Sequence, residues 1–84
     1  MIGSSAGQSL PLSALRVGES AVVVHLTGSQ GLLSRMASMG FTPGVDIQVL
    51  QNYGSGPLIA RVRNARIALG RSEANKVYVR VYQE

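Results

Sequence analysis

The ten residues RMASMGFTPG, Arg35–Gly44, write a change of chain direction twice over. From Leu32 to Met39 the apolar residues Leu32, Leu33, Met36, Ala37 and Met39 repeat with helical spacing. At about 100° per residue they cover an arc of about 160°, with Ser34, Arg35 and Ser38 opposite. Gly40 then fits the left-handed position just past a helix end, where a residue without Cβ escapes the steric penalty. Phe41 follows at the position that packs back on Met36 in a Schellman-type stop. Thr42-Pro43-Gly44-Val45 next places Pro at the second and Gly at the third position of a type II turn. A short helix is therefore stopped, turned and led directly into an extended chain.

What flanks this corner is β-rich. Ser20–Leu26, SAVVVHL, is short and β-branched, as in a strand buried over much of both faces. After the corner, Val45, Ile47 and Val49 alternate with Asp46 and Gln48. A loop tip at 52–56, with Gly56 and Pro57 at its exit, precedes a strand with Leu58, Ala60 and Val62 inward and Arg61 and Arg63 outward. Asn64-Ala65 reads as a two-residue turn, since Asn tolerates positive φ. Ile67 and Leu69 then face inward, residues 70–75 make one helical turn, and Val77, Val79 and Val81 face inward in a last strand. At the start, Leu12 and Leu15 mark a single helical turn that Gly18 stops. These periods predict a mainly β fold: a small barrel of about five strands, with one short α-helix between the first two. A single domain spans 10–84, and residues 1–9 form a flexible lead-in without the basic and apolar regions of a secretory signal.

Composition narrows the chemistry. With 84 residues there is room for one modest core and no deep cleft. Cysteine is absent, which removes disulfides, thiolate metal sites and thiol nucleophiles and fits a reducing compartment. The longest apolar run, Ala21–Val24, is strand-sized, far below the ~20 residues that span a bilayer. Metal-ligating side chains are limited to His25, Glu19, Asp46, Glu73 and Glu84, scattered along the chain, so tight metal binding by one chain is not expected. There is no phosphate-binding G-x-x-x-x-G-K-[ST] loop, and one His with one Asp is a poor basis for nucleophilic catalysis.

Several motifs together resemble ferrous iron transport protein A (FeoA). They are L-x-x-L-x-x-G at Leu12, Leu15 and Gly18, R-M-x-x-M-G-F-x-P-G at Arg35–Gly44, G-P-L at Gly56–Leu58, and R-I-A-L-x-R-x-x-A-x-x-V-x-V from Arg66 to Val79. Gly70 departs from the pattern, standing where the resemblance implies a long, often basic residue. The resemblance implies an SH3-like barrel and a cytoplasmic accessory of FeoB, a membrane ferrous iron transporter with a GTPase domain. It implies neither an enzyme nor a cofactor, and places the protein at the inner face of the membrane through its partner.

Two surfaces are candidates for contact. At the helix corner, Met36, Met39 and Phe41, flanked by Arg35 and Arg71, suit docking on a protein partner, since methionine adapts to varied surfaces. Gly18, Gly40, Pro43, Gly44, Gly56 and Pro57 are read as structural turns. Arg35 and Arg71 are also the exposed arginines that could act in trans on phosphoryl transfer. The second surface follows from a net charge of +4. Arg61, Arg63, Arg66, Lys76 and Arg80, with Tyr78 and Tyr82, could form a basic and aromatic strand face for nucleic acid. Protein docking is the preferred reading, and weak self-association is compatible with it.

Overall fold

In a computed structural model of the chain, residues 8–82 are described. Six strands form one antiparallel sheet: β1 (Leu10–Pro11), β2 (Ser20–Leu26), β3 (Asp46–Gln51), β4 (Leu58–Val62), β5 (Ala65–Leu69) and β6 (Val77–Val81). Their order is β1-β6-β2-β3-β4-β5. A 3-10 turn (Leu12–Ala14) follows β1, helix α1 (Gln30–Ser38) joins β2 to β3, and the short α2 (Arg71–Ala74) joins β5 to β6. The mainly β reading and the helix between the first long strands are both met. The additional strand is the two-residue β1, too short for any period to reveal. Of the lead-in, residues 1–7 lie outside the described residues, and Gln8 and Ser9 are exposed.

The corner has the geometry its residues predict. The Gly40 N–H donates to Ala37 O (3.0 Å) and the Phe41 N–H to Met36 O (3.0 Å), the paired bonds of a Schellman stop. Gly40 has φ +100° and Gly44 φ +93°, and the Val45 N–H closes the second turn on Thr42 O (3.1 Å). The Gly44 N–H then donates to Val23 O (2.8 Å) and the Val23 N–H to Val45 O (2.9 Å). The corner therefore hands the chain straight back to the β2 ladder. The helix begins two residues earlier than its apolar run, because Ser29 Oγ caps it by accepting from the Leu32 N–H (3.2 Å).

The hairpin between β4 and β5 differs from expectation by one residue. Val62 pairs with Ala65, so the two loop residues are Arg63 (φ 53°) and Asn64 (φ 74°), not Asn64 and Ala65. Both angles are positive, as a type I′ turn requires. The register that keeps Val62 and Leu69 inside forces Arg63 out of the strand alternation and into the turn.

Leu12, Leu15, Ala21, Val23, Met36, Phe41, Ile47, Val49, Leu58, Ala60, Val62, Leu69, Ala74, Val77 and Val79 form the core. No buried polar or charged residue accompanies them among the described residues. Each large side chain so buried contributes about 1.5–3 kcal/mol, so the fold rests on inward strand positions plus Met36 and Phe41 from the corner and Leu12 and Leu15 from around the 3-10 turn.

Candidate docking surface

The helix arc is divided between core and surface. Met36 and Phe41 are each only 1% exposed. They were expected to meet a partner, and the structure corrects this: both are buried inside the barrel. Leu32 and Met39 are partly buried against the core, Leu33 is half-buried, and Ala37 is exposed. The accessible apolar flank is therefore Leu33, Ala37 and the outer part of Met39. Leu33, absent from the predicted contact set, could be found only by knowing which side of the arc the barrel covers.

The two arginines part company. Arg35 is exposed and forms an ion pair with Glu73 of α2, whose side chain is 24% exposed. The other carboxylate oxygen of Glu73 accepts from the Gly70 N–H (2.9 Å). One carboxylate thus caps α2 and ties it to α1. Arg71, expected to be exposed, is half-buried, and its guanidinium donates to Gly56 O (3.0 Å). That bond ties α2 to the loop before β4. Gly70, the departure from the family pattern, has open space: an added Cβ would stand 3.7 Å from Glu73 Oε1, an ordinary contact.

Of the turn residues, Gly18 (φ +94°), Gly40, Gly44 and Gly56 (φ +71°) all need positive φ, while Pro43 and Pro57 are exposed. The loop at 52–56 also holds a residue whose part no motif announced. Asn52 donates to Ser13 O (3.0 Å) and Leu15 O (2.7 Å) while its own oxygen accepts from the Gly54 N–H (3.1 Å). It satisfies carbonyls around the 3-10 turn from across the sheet.

The basic and aromatic face does not assemble as expected. β6, which carries Tyr78 and Arg80, is separated from β4 by β2 and β3, three strand spacings or about 14 Å. Tyr78 is stacked on His25 at 4.8 Å between ring centres and 6° between planes, which covers one of its faces. Tyr82 shares a depression with Arg61 and Arg63, but its hydroxyl is bonded to the Asp46 carboxylate. That bond, then desolvation and the nearby negative charge, hold its pKa above the ordinary 10.0. No group of three or more His, Asp or Glu side chains suited to a metal occurs among the described residues, and no helix there is long and apolar enough to cross a membrane.

The FeoA domain profile matches residues 10–81. This chain belongs to the FeoA domain family. Over 69 residues it is 33% identical to the Fe(2+) transport protein A of Methanocaldococcus jannaschii, covering 82% of this chain and 83% of that one. The crystal structure of an iron uptake regulatory protein (FeoA) superposes with a TM-score of 0.85 at 37% identity, covering 89% of this chain and all of the other. Stenotrophomonas maltophilia FeoA, solved with zinc and described as a prokaryotic SH3 domain protein, superposes with a TM-score of 0.71 at 32% identity, covering 81% of this chain and 86% of that one. The SH3-like expectation is met, and the FeoA family ties this domain to ferrous iron transport.

Proposed function

We propose that this FeoA domain is a non-enzymatic adaptor that docks on the cytoplasmic side of a FeoB-type ferrous iron transporter and modulates its assembly or nucleotide cycle. The observation that carries this reading is the family match, which runs through every strand from β1 to β6. The geometry supports it with a docking surface: Leu33 and Ala37 on α1 and Met39 at its C-terminal cap, flanked by Arg35 with its ion pair to Glu73. An apolar flank beside a paired charge suits a modest protein contact whose affinity comes mainly from desolvated side chains. Met36 and Phe41 support that flank from beneath.

The test is binding of the domain to the detergent-solubilised transporter, with and without guanine nucleotide, at two salt concentrations. Saturable binding that changes little with salt, and that Met39→Asp weakens at least about tenfold, is the expected result. Absence of binding to the whole transporter refutes docking by this domain alone. Unchanged binding by a folded Met39→Asp variant refutes the surface.

A further inference from the structure

The sheet is open along β5. That strand pairs with β4 and, among the described residues, with nothing else. The two-residue loop makes Val62 and Ala65 a hydrogen-bonded pair, so Ala65, Ile67 and Leu69 aim their main-chain groups at β4. Arg66 and Ala68 aim theirs away from the sheet, and both residues are exposed. One edge therefore presents a donor and an acceptor at each of two alternate residues, ready for another strand.

The side chains of these same residues lie on the outer face of the sheet. There the register sets Gln48, Arg61 and Arg66 in one row across β3, β4 and β5. In the next row Ile59 stands beside Ala68, with Leu50 at the irregularity in β3. A groove of about 430 Å³ follows, lined by Leu50, Gln51, Ile59, Arg66 and Ala68. The small Ala68 leaves it open towards the free edge.

The charge around this groove is one-sided. Arg61 and Arg66 are directly opposed across β4 and β5, and Arg63 is in the adjoining turn. Among the described residues Arg61 has only a long bond to Gln48 (3.4 Å). The nearby carboxylate, Asp46, takes the Tyr82 hydroxyl, and Glu73 is held by Arg35. Like charges directly opposed on a sheet are destabilising unless something neutralises them.

We propose that the β5 edge is a docking site for an acidic, extended segment of a partner protein, which adds as a further strand with a carboxylate on Arg66 and an apolar side chain over Ala68 into the Leu50–Ile59 groove. Strand addition draws affinity from main-chain bonds and selectivity from alternate side chains. Because Arg66 and Ala68 are two apart on one face, the recognised pattern is an apolar and an acidic residue separated by one. A second copy of this basic chain is disfavoured as occupant, since it would bring Arg61, Arg63 and Arg66 towards their own counterparts. The site is remote in sequence from the α1 flank and stands independently of transporter docking.

The probe is a blocked octapeptide, Thr-Ile-Thr-Leu-Thr-Glu-Thr-Val, titrated into the full chain and followed by amide NMR and hydrogen exchange. Saturable binding with Kd at or below about 1 mM is expected, with exchange at the Arg66 and Ala68 amides slowed about tenfold or more. Replacing the peptide's Glu by Lys weakens binding at least about fivefold. Arg66→Glu reverses that preference, while Ala68→Pro removes an edge donor that β4 does not use and abolishes binding. The reversal by Arg66→Glu keeps the test decisive if Ala68→Pro does not fold. Shifts confined to α1, no protection at Arg66 and Ala68, or no reversal each overturn the proposal. So does protection of those amides that grows with protein concentration without peptide, which would give the edge to a second copy.

Discussion

Gly40 and Gly44 permit a controlled measurement of what the corner demands. Both have φ near +100°, so Ala at either incurs backbone strain of about 1–2 kcal/mol. Both substitutions also stiffen the unfolded chain, which returns about 0.4–1 kcal/mol. The surroundings differ. A Cβ on Gly44 meets nothing within 4 Å, whereas one on Gly40 comes 3.1 Å from Val62 Cγ1 and 3.8 Å from Arg63 Cδ. Val62 is fully buried in β4 and cannot swing aside, so the overpacking adds about 1 kcal/mol, the low end of its usual range. Gly44→Ala should therefore cost about 0.5–1 kcal/mol and Gly40→Ala about 2 kcal/mol. For a domain of this size each kcal/mol lowers Tm by about 4–8 °C. Urea unfolding followed by circular dichroism measures both, with an unchanged m value as the check that the unfolded state is comparable. In a Val62→Ala background the difference between the two variants should disappear. Equal costs in the parent background, or a difference that survives Val62→Ala, would refute the steric account.

Other expectations follow from single side chains. Asn52→Ala strands the Ser13 and Leu15 carbonyls and should cost about 1–3 kcal/mol in the same unfolding assay; a cost within experimental error would mean water replaces the amide. Arg35→Ala removes an exposed ion pair and should cost below about 1 kcal/mol. Glu73→Ala also uncaps α2 and should cost about 1 kcal/mol more; a smaller cost than Arg35→Ala would contradict the double role. Because Tyr82 has a raised pKa in the fold, its bond to Asp46 stabilises fully below the ordinary pKa of 10.0 and is lost as pH rises through the folded value. Absorbance titration should show Tyr82 ionising above the ordinary 10.0, and Asp46→Asn should bring it down; no change on Asp46→Asn would dismiss the bond.

The residues that stop the helix were legible because their requirement is local. Gly40, Phe41, Pro43 and Gly44 each meet a backbone demand that neighbours in the chain define, and the bonds at Phe41 and Val45 follow from them. Inward positions such as Ile47, Val49, Val77 and Val79 were legible from alternation for the same reason. The β4–β5 turn was displaced by one because Arg is not a turn former. There the inward Val62 and Leu69 set the register, and Arg63 accepts a positive φ as the consequence. The contact surface was legible only in outline. An arc of apolar residues cannot say which half faces the barrel, and this assigned Met36 and Phe41 to the wrong side. Asn52 was hidden altogether, since its partners Ser13 and Leu15 lie 39 and 37 residues away. The free edge of β5 depends on strand order, which no local pattern carries.

The pairing of Leu10 with Val79 has a consequence for how the chain reaches this fold. Every other strand contact can form while the first residues remain loose, but this one must wait until β6 is in place. Once β6 is seated on β2, with Val79 opposite Val23, the loop left to close runs from Leu10 to Val23, and its length-dependent entropic cost of about 2 kcal/mol is set against only two paired residues. β1 is accordingly the last strand to dock and the first to fray. Joining the ends beside β1 and β6 and reopening the chain at the exposed Tyr53–Ser55 tip would keep every pairing of the sheet. It would bring β1 and β6 together along the chain but turn the local β3–β4 hairpin into the longest closure, so such a permutant should fold no faster than the natural order of the same residues.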